Sequence, residues 1–304
     1  AFYVVPNAGC LEIGGETRID YLQRQTTNDL SLLSAIRALP NLLTSASGRI
    51  LEVFTLVTDG DLIGLLTEPG HAPGLADYFK KKIFFNDKVT VQDMSSEWAQ
   101  IELHGPQAGL ILKTLGIDAA PSPDEVKAIE FRGISVRVIG NDSLQNDRSY
   151  TVLLPSSALD LLADQLADQG VPPLASEVRE ILRIEAGKPG SLEFREEYTP
   201  FEIGLDRYVS AEKGCYTGQE VLARQVTYDR VVRRLVRLRA ERPLQSGASA
   251  RVEGKTVGQI TSAALSPTLG QIALAVLRKP YDSPGNLVEV INNAGKTSAK
   301  ITLS

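Results

Sequence analysis

The stretch Arg183–Arg224, RIEAGKPGSLEFREEYTPFEIGLDRYVSAEKGCYTGQEVLAR, separates a helical pattern on its N-terminal side from short alternating runs on its C-terminal side. Five glycines and two prolines interrupt it, and it carries one of the chain's two cysteines. Its sharpest part is Lys213-Gly214-Cys215-Tyr216-Thr217-Gly218-Gln219-Glu220. Glycines on both sides of a thiol and an aromatic ring predict a tight turn that presents side chains rather than burying them. An ammonium near a thiol lowers its pKa, so Lys213 makes Cys215 a candidate reactive thiol. The competing reading is a small buried apolar cysteine, since unpaired cysteine is among the most buried residue types.

Before this stretch, Glu177 to Ala186 reads as a helix stopped by Gly187 and Pro189. Glu185 sits at its C-terminal end, where the helix dipole disfavours a carboxylate unless Arg183 or a ligand offsets it. After it, from residue 231, strands are expected at Leu235–Arg239, Ala250–Val252, Thr256–Ala263, Ile272–Leu277, Leu287–Ile291 and Ser298–Leu303. Short strands at close spacing imply a small antiparallel barrel or sandwich. Seven arginines from Arg224 to Arg242 lead into it. They read as a solvated face with salt bridges, or else as a contact for phosphate, polyglutamate or nucleic acid.

Nearer the N-terminus, Glu16 to Gln25 reads as a helix and Thr26 to Asp29 as a polar loop, in which Asn28 is either a cap or a ligand contact. Gly48 to Val57, Asp59-Gly60 and Asp61 to Thr67 read as a hairpin. On its first strand Ile50, Glu52, Phe54 and Leu56 share a face. That face predicts partial burial of Glu52, which would raise its pKa and suit a catalytic role; were the opposite face the buried one, Glu52 would be surface. Further helices are expected at Pro73–Lys82, from Gly105-Pro106 through Leu115, and at Ser156–Gln169. A second hairpin is expected about Arg132-Gly133, with a strand at Tyr150–Leu154.

A length of 304 residues implies two or three domains, and 43% hydrophobic residues suffice for their cores. The net charge of -5 argues against nucleic acid as the main ligand. Cys10 and Cys215 form neither a disulfide framework nor a metal-ligand pattern, which fits a reducing compartment and leaves no metal site expected. Neither a secretory leader nor a membrane-length apolar run is visible, so a cytoplasmic protein without membrane contact is expected.

KGCYTGQE, with RIEAGKPG and TPFEIGLD before it, resembles the signature of the YgfZ proteins, folate-binding relatives of the glycine cleavage system T-protein. YLQRQTTND, LTSASGRILEVFTLV, YFKKKIFFNDKVTV and LHGPQAGLIL extend the resemblance over nearly the whole chain. It implies an α+β fold, a ring of two α/β folate-binding subdomains within residues 1–230 and a small C-terminal antiparallel β-barrel at 231–304. It further implies tetrahydrofolate or a derivative as cofactor, and assistance to iron-sulfur enzymes, those that modify tRNA among them, or to their assembly factors. Cys215 is the family residue tied to that activity. Asn28, Arg183, Glu185, Glu202, Lys213, Tyr216, Gln219 and Glu220 are carried over as folate-site candidates. Two cysteines cannot supply the thiolates a cluster takes, so the iron-sulfur role is assistance. The aminomethyltransferase branch carries an acidic pair where this chain has Glu52-Val53, so a tetrahydrofolate-dependent one-carbon transferase would depend on Glu52. An RNA- or protein-binding module using the arginine strand is the third reading.

Overall fold

A computed structural model describes residues 1–142, 148–292 and 295–302. Its elements begin with β1 (Phe2–Val4), β2 (Gly9–Gly14), α1 (Arg18–Gln25), β3 (Leu39–Thr44), β4 (Ile50–Thr58), β5 (Ile63–Thr67), α2 (Ala72–Lys81) and β6 (Thr90–Asp93). There follow β7 (Trp98–His104), α3 (Ala108–Thr114), β8 (Val126–Phe131), β9 (Ile134–Gly140), β10 (Ser149–Pro155), α4 (Leu159–Asp168) and α5 (Ser176–Glu185). The last are α6 (Gln219–Thr227), β11 (Arg233–Ala240), β12 (Ser249–Val252), β13 (Lys255–Ser266), β14 (Gly270–Arg278), β15 (Leu287–Asn292) and β16 (Gly295–Thr302). Of the expected last strand, Leu303 lies outside the described residues.

Contacts divide the chain into two compact units. One comprises Ala1–Leu43, Glu52–Ala175 and Arg207–Thr217; the other comprises Thr44–Leu51, Ser176–Asp206 and Gly218–Ser304.

The first unit holds two five-stranded sheets, ordered β1-β7-β10-β9-β8 and β3-β4-β5-β2-β6. Strand alternation gives each sheet two apolar faces with different partners. Leu11, Ile13, Phe54, Leu56 and Leu65 pack with Tyr21, Leu22, Leu75 and Phe79 of α1 and α2. Ile101, Leu103, Val152 and Leu154 pack with Leu112, Leu162 and Leu166 of α3 and α4. The remaining faces meet through Cys10, Val57 and Leu66 on one side and Val126, Ile139 and Leu153 on the other. The layers therefore run helix, sheet, sheet, helix. Each large apolar side chain so buried contributes roughly 1.5–3 kcal/mol before entropy is charged. The Arg132-Gly133 hairpin is as expected, with φ of 50° and 80° at its two central residues, the mirror-image turn that matches strand twist.

In the second unit six antiparallel strands close into a barrel, ordered β11-β14-β13-β12-β15-β16. Its interior is filled by Val236, Leu238, Ala250, Ile260, Ala273, Ala275, Val290, Ala299 and Ile301. The alanines suit the narrow bore of six strands. Outside, Ile184 of α5 packs with Ile272 and Leu274, and Leu235 joins them.

Two elements escaped the sequence reading. β3 is buried along its whole length, so its sequence LPNLLT shows no alternation, and Pro40 fits because β3 is an edge strand. The helix α6 opens directly on the glycine-rich motif, where only a turn was expected. The arginine run is accordingly split, with Arg224 on α6 and the strand beginning only at Arg233.

Candidate functional site

The motif around Cys215 is anchored on both sides. In the first unit the Lys213 ammonium is buried and donates to the carbonyl oxygens of Thr26 at 2.7 Å and Asn28 at 2.8 Å. It also lies 5.3 Å from the ring centre of Tyr216, itself buried. Burial lowers the Lys213 pKa to about 8, with Asp29 pulling it partway back. Asn28 completes the knot: its amide donates to the carbonyls of Pro40 at 2.7 Å and Arg207 at 2.9 Å, and its oxygen accepts from the Asp29 N–H. The hydroxyl of Thr27 donates to the Tyr208 carbonyl, and Ser210 N–H donates to that of Thr27. Asn28, Lys213 and Tyr216 are thus brought together, with Asn28 acting as a tie between segments.

Cys215 is exposed between these anchors, as the turn reading expected. Cys10 is the opposite case, buried, with desolvation raising its thiol to about 12. Three residues beyond Cys215, Gly218 adopts φ +86°, and a Cβ there would stand 2.5 Å from the Ser45 carbonyl oxygen. Only glycine fits, and it caps α6. On that helix Glu220 is exposed and pairs with Arg224, while Gln219 is half-buried.

The other carried-over charges lie in the second unit. Arg183 donates to Glu180, to the Lys188 carbonyl, to Glu193 at 3.0 Å and to Ser262 at 2.7 Å. Burial pulls this guanidinium's pKa down, but its bonds to Glu180 and Glu193 more than offset that and leave it raised. Glu185 accepts from the Ser266 hydroxyl at 2.5 Å. Glu202 accepts from Arg49, from Arg233 at 2.8 and 2.9 Å, and from the Thr199 N–H at 3.0 Å. Among the arginines of β11, Arg233 also lies 5.1 Å from the Tyr198 ring and Arg237 donates to the Glu185 carbonyl. These two arginines face protein.

Glu52 lies on β4 of the first unit. Ile50, Phe54 and Leu56 on its face are buried, as expected, and Val53 and Val57 on the opposite face are buried as well, leaving Leu51 exposed. The Glu52 side chain keeps 13% exposure, and burial raises its pKa while His71 lowers it again. His71 Nδ1 approaches the two carboxylate oxygens at 3.1 and 2.9 Å from the start of α2.

Sequence reasoning missed three residues of these networks. Asn41, wholly buried, accepts from the N–H groups of Thr27, Asn28 and Leu42; its signal was one amide inside the apolar run LPNLLT. Glu193, also wholly buried, takes Arg183, Ser262 and the Gly190 N–H, and nothing local marks it. His71 likewise has no motif. No group of three or more metal-ligating side chains occurs among the described residues, and none of their helices is long and apolar enough to cross a membrane.

A reduced folate would present the N–H donors of a pterin edge to a carboxylate and an aromatic face to a ring; in the first unit Glu52, 13% exposed, and buried Tyr216 are groups of those two kinds. The glutamate tail needs cations, of which this chain has many.

The profile of the GCVT N-terminal domain matches residues 5–213, and that of the glycine cleavage T-protein C-terminal barrel domain matches residues 233–304. A chloroplastic protein of Arabidopsis thaliana with a provisional transferase name is 30% identical over 287 residues, covering 93% of this chain and 66% of that protein. An aminomethyltransferase of Thermoanaerobacter sp. strain X514 is 25% identical over 307 residues, covering 94% of this chain and 80% of that enzyme. The chain thus spans just under two thirds of the first relative's length. The crystal structure of the glycine cleavage system aminomethyltransferase T from Bartonella henselae superposes with a TM-score of 0.86 at 19% identity, covering 99% of this chain and 84% of that one. Two α/β sheets and a closed six-stranded antiparallel barrel define the T-protein class of fold. This chain belongs to the glycine cleavage T-protein family.

Proposed function

We propose that the chain is a tetrahydrofolate-binding protein of the YgfZ branch that assists iron-sulfur enzymes through Cys215. The observation that carries this reading is an exposed thiol held between fixed points: Lys213 and Tyr216 are buried before and after it, and Gly218 admits no side chain. Such a turn presents a thiol to a partner. Folate, when bound, supplies a one-carbon carrier; Tyr216 would offer a ring face and Lys213 a positive charge.

A second reading, a folate-dependent aminomethyltransferase, is favoured by the names of the relatives and by the partly buried Glu52 carboxylate. Its weakness is that Glu52 is engaged by His71.

The test is a double comparison in a cell lacking its own version of the protein. Cys215→Ser is expected to abolish rescue of iron-sulfur enzyme activity while 5-formyltetrahydrofolate still raises the melting temperature, because serine keeps the size and loses thiolate chemistry. Glu52→Gln is expected to leave rescue intact. The reverse pattern would establish the transferase. No thermal shift with millimolar folate in folded, ligand-free protein would remove both readings.

A further inference from the structure

On the outer face of the barrel the strand register sets two cations side by side. Arg239 of β11 stands directly opposite Lys300 of β16, and Lys300 stands opposite Leu287 of β15. Their strand neighbours Leu238, Ala299 and Ile301 fill the interior, so Arg239 and Lys300 point outward, and both are exposed. Like charges directly opposed across an antiparallel ladder repel. Among the described residues no carboxylate closes on either of them.

Both line a groove of about 640 Å³ together with Arg242, Lys296, Ser298 and Glu241. Four cations face one carboxylate there, in a chain whose net charge is -5. Lys296 and Lys300 lie on one strand four residues apart, so their Cα atoms are separated by about 13 Å. Ser298 lies between them on the same face. One phosphate cannot span that distance, whereas a chain of phosphates can. The pair that Lys296 makes with Glu289 at 3.3 Å is exposed, and such pairs are weak enough for an anion to displace. A peptide that binds by adding its backbone to a strand edge finds none on this closed barrel, so a ligand here is held by the side chains alone.

We infer that this groove is a track for the phosphodiester backbone of a single-stranded nucleic acid, read by charge and not by base. The inference is independent of the folate site.

The test uses the full chain and a fluorescein-labelled 12-nucleotide oligouridylate, followed by anisotropy over a salt series. Arg239→Gln with Lys300→Gln is expected to weaken binding at least tenfold at low salt and to reduce the salt slope by about 1.4, since each phosphate contact on a single strand contributes about 0.7. Lys113→Gln, on α3, is the control and should change nothing; equal loss in both variants would overturn the track. Pyrophosphate or polyglutamate competing as well as RNA at equal charge would overturn it too. Without ligand the double variant should melt at the same or a higher temperature, because a repulsion has been removed. A lower melting temperature would show the pair to be structural and overturn the inference.

Discussion

Lys213 shows how much a single side chain's environment depends on residues far away in sequence. From the motif alone its obvious neighbour was Cys215; in the fold its ammonium is held by carbonyls 187 and 185 residues away. The carbonyls accept its hydrogen bonds, but burial still disfavours the charge and brings the pKa from 10.5 to about 8. Between those values the unfolded chain binds more protons at this site than the native one, so native stability rises with pH across that window. Lys213→Met removes the titration and leaves every other group in place. The stability difference should therefore move in favour of the parent by about 2 kcal/mol from pH 7.5 to 10, once the shift is discounted for solvent screening. Urea midpoints for the two proteins at both pH values measure this. A difference that stays flat would mean that the ammonium is not desolvated.

At the level of elements, legibility in the sequence followed the kind of burial. On β4 the face carrying Phe54 and Leu56 packs against helices and the other buries Val53 and Val57, but the polar residues Glu52, Thr55 and Thr58 and exposed Leu51 break the apolar run enough to mark a strand. β3 is covered throughout and carries no period, and α6 begins on a glycine that its tertiary neighbour Ser45 demands. Of the arginines of β11, Arg234 and Arg239 keep the exposure expected of them, whereas Arg233 and Arg237 are half-buried because a short turn and α5 bring partners to them. Glu202 lies in one such turn, at Pro200–Glu202, with its side chain 2% exposed between Arg49 and Arg233. Removing one member of a buried pair leaves the other charge uncompensated. Glu202→Ala is expected to cost about 3–5 kcal/mol in denaturant unfolding. Glu220→Ala, which breaks an exposed pair with Arg224, should barely move the midpoint. Equal shifts in both variants would mean that burial does not set the strength of these pairs.

At the scale of the molecule, sequence composition changes near residue 231, yet the packing of the barrel begins earlier. The chain passes from one compact unit to the other after residues 43, 51, 175, 206 and 217, so neither unit is a continuous segment. Residues 176–206 give the barrel Ile184 against Ile272 and Leu274, Glu202 against Arg233, and Arg183 with Glu193 against Ser262. No local pattern marks these pairings, because each joins residues at least 31 positions apart whose complementarity exists only after folding. A fragment of residues 231–304 would expose Leu235, Ile272 and Leu274 to water and leave Arg233 without its carboxylate. Each exposed apolar side chain removes roughly 1.5–3 kcal/mol, a large part of the 5–15 kcal/mol that holds a domain together. That fragment should therefore aggregate or melt without a sharp transition, whereas residues 176–304 should retain a cooperative one at reduced temperature. Calorimetry of the two fragments beside the full chain decides it: a sharp transition for 231–304 at the temperature of the longer fragment would show that the barrel does not depend on the segment packed against it.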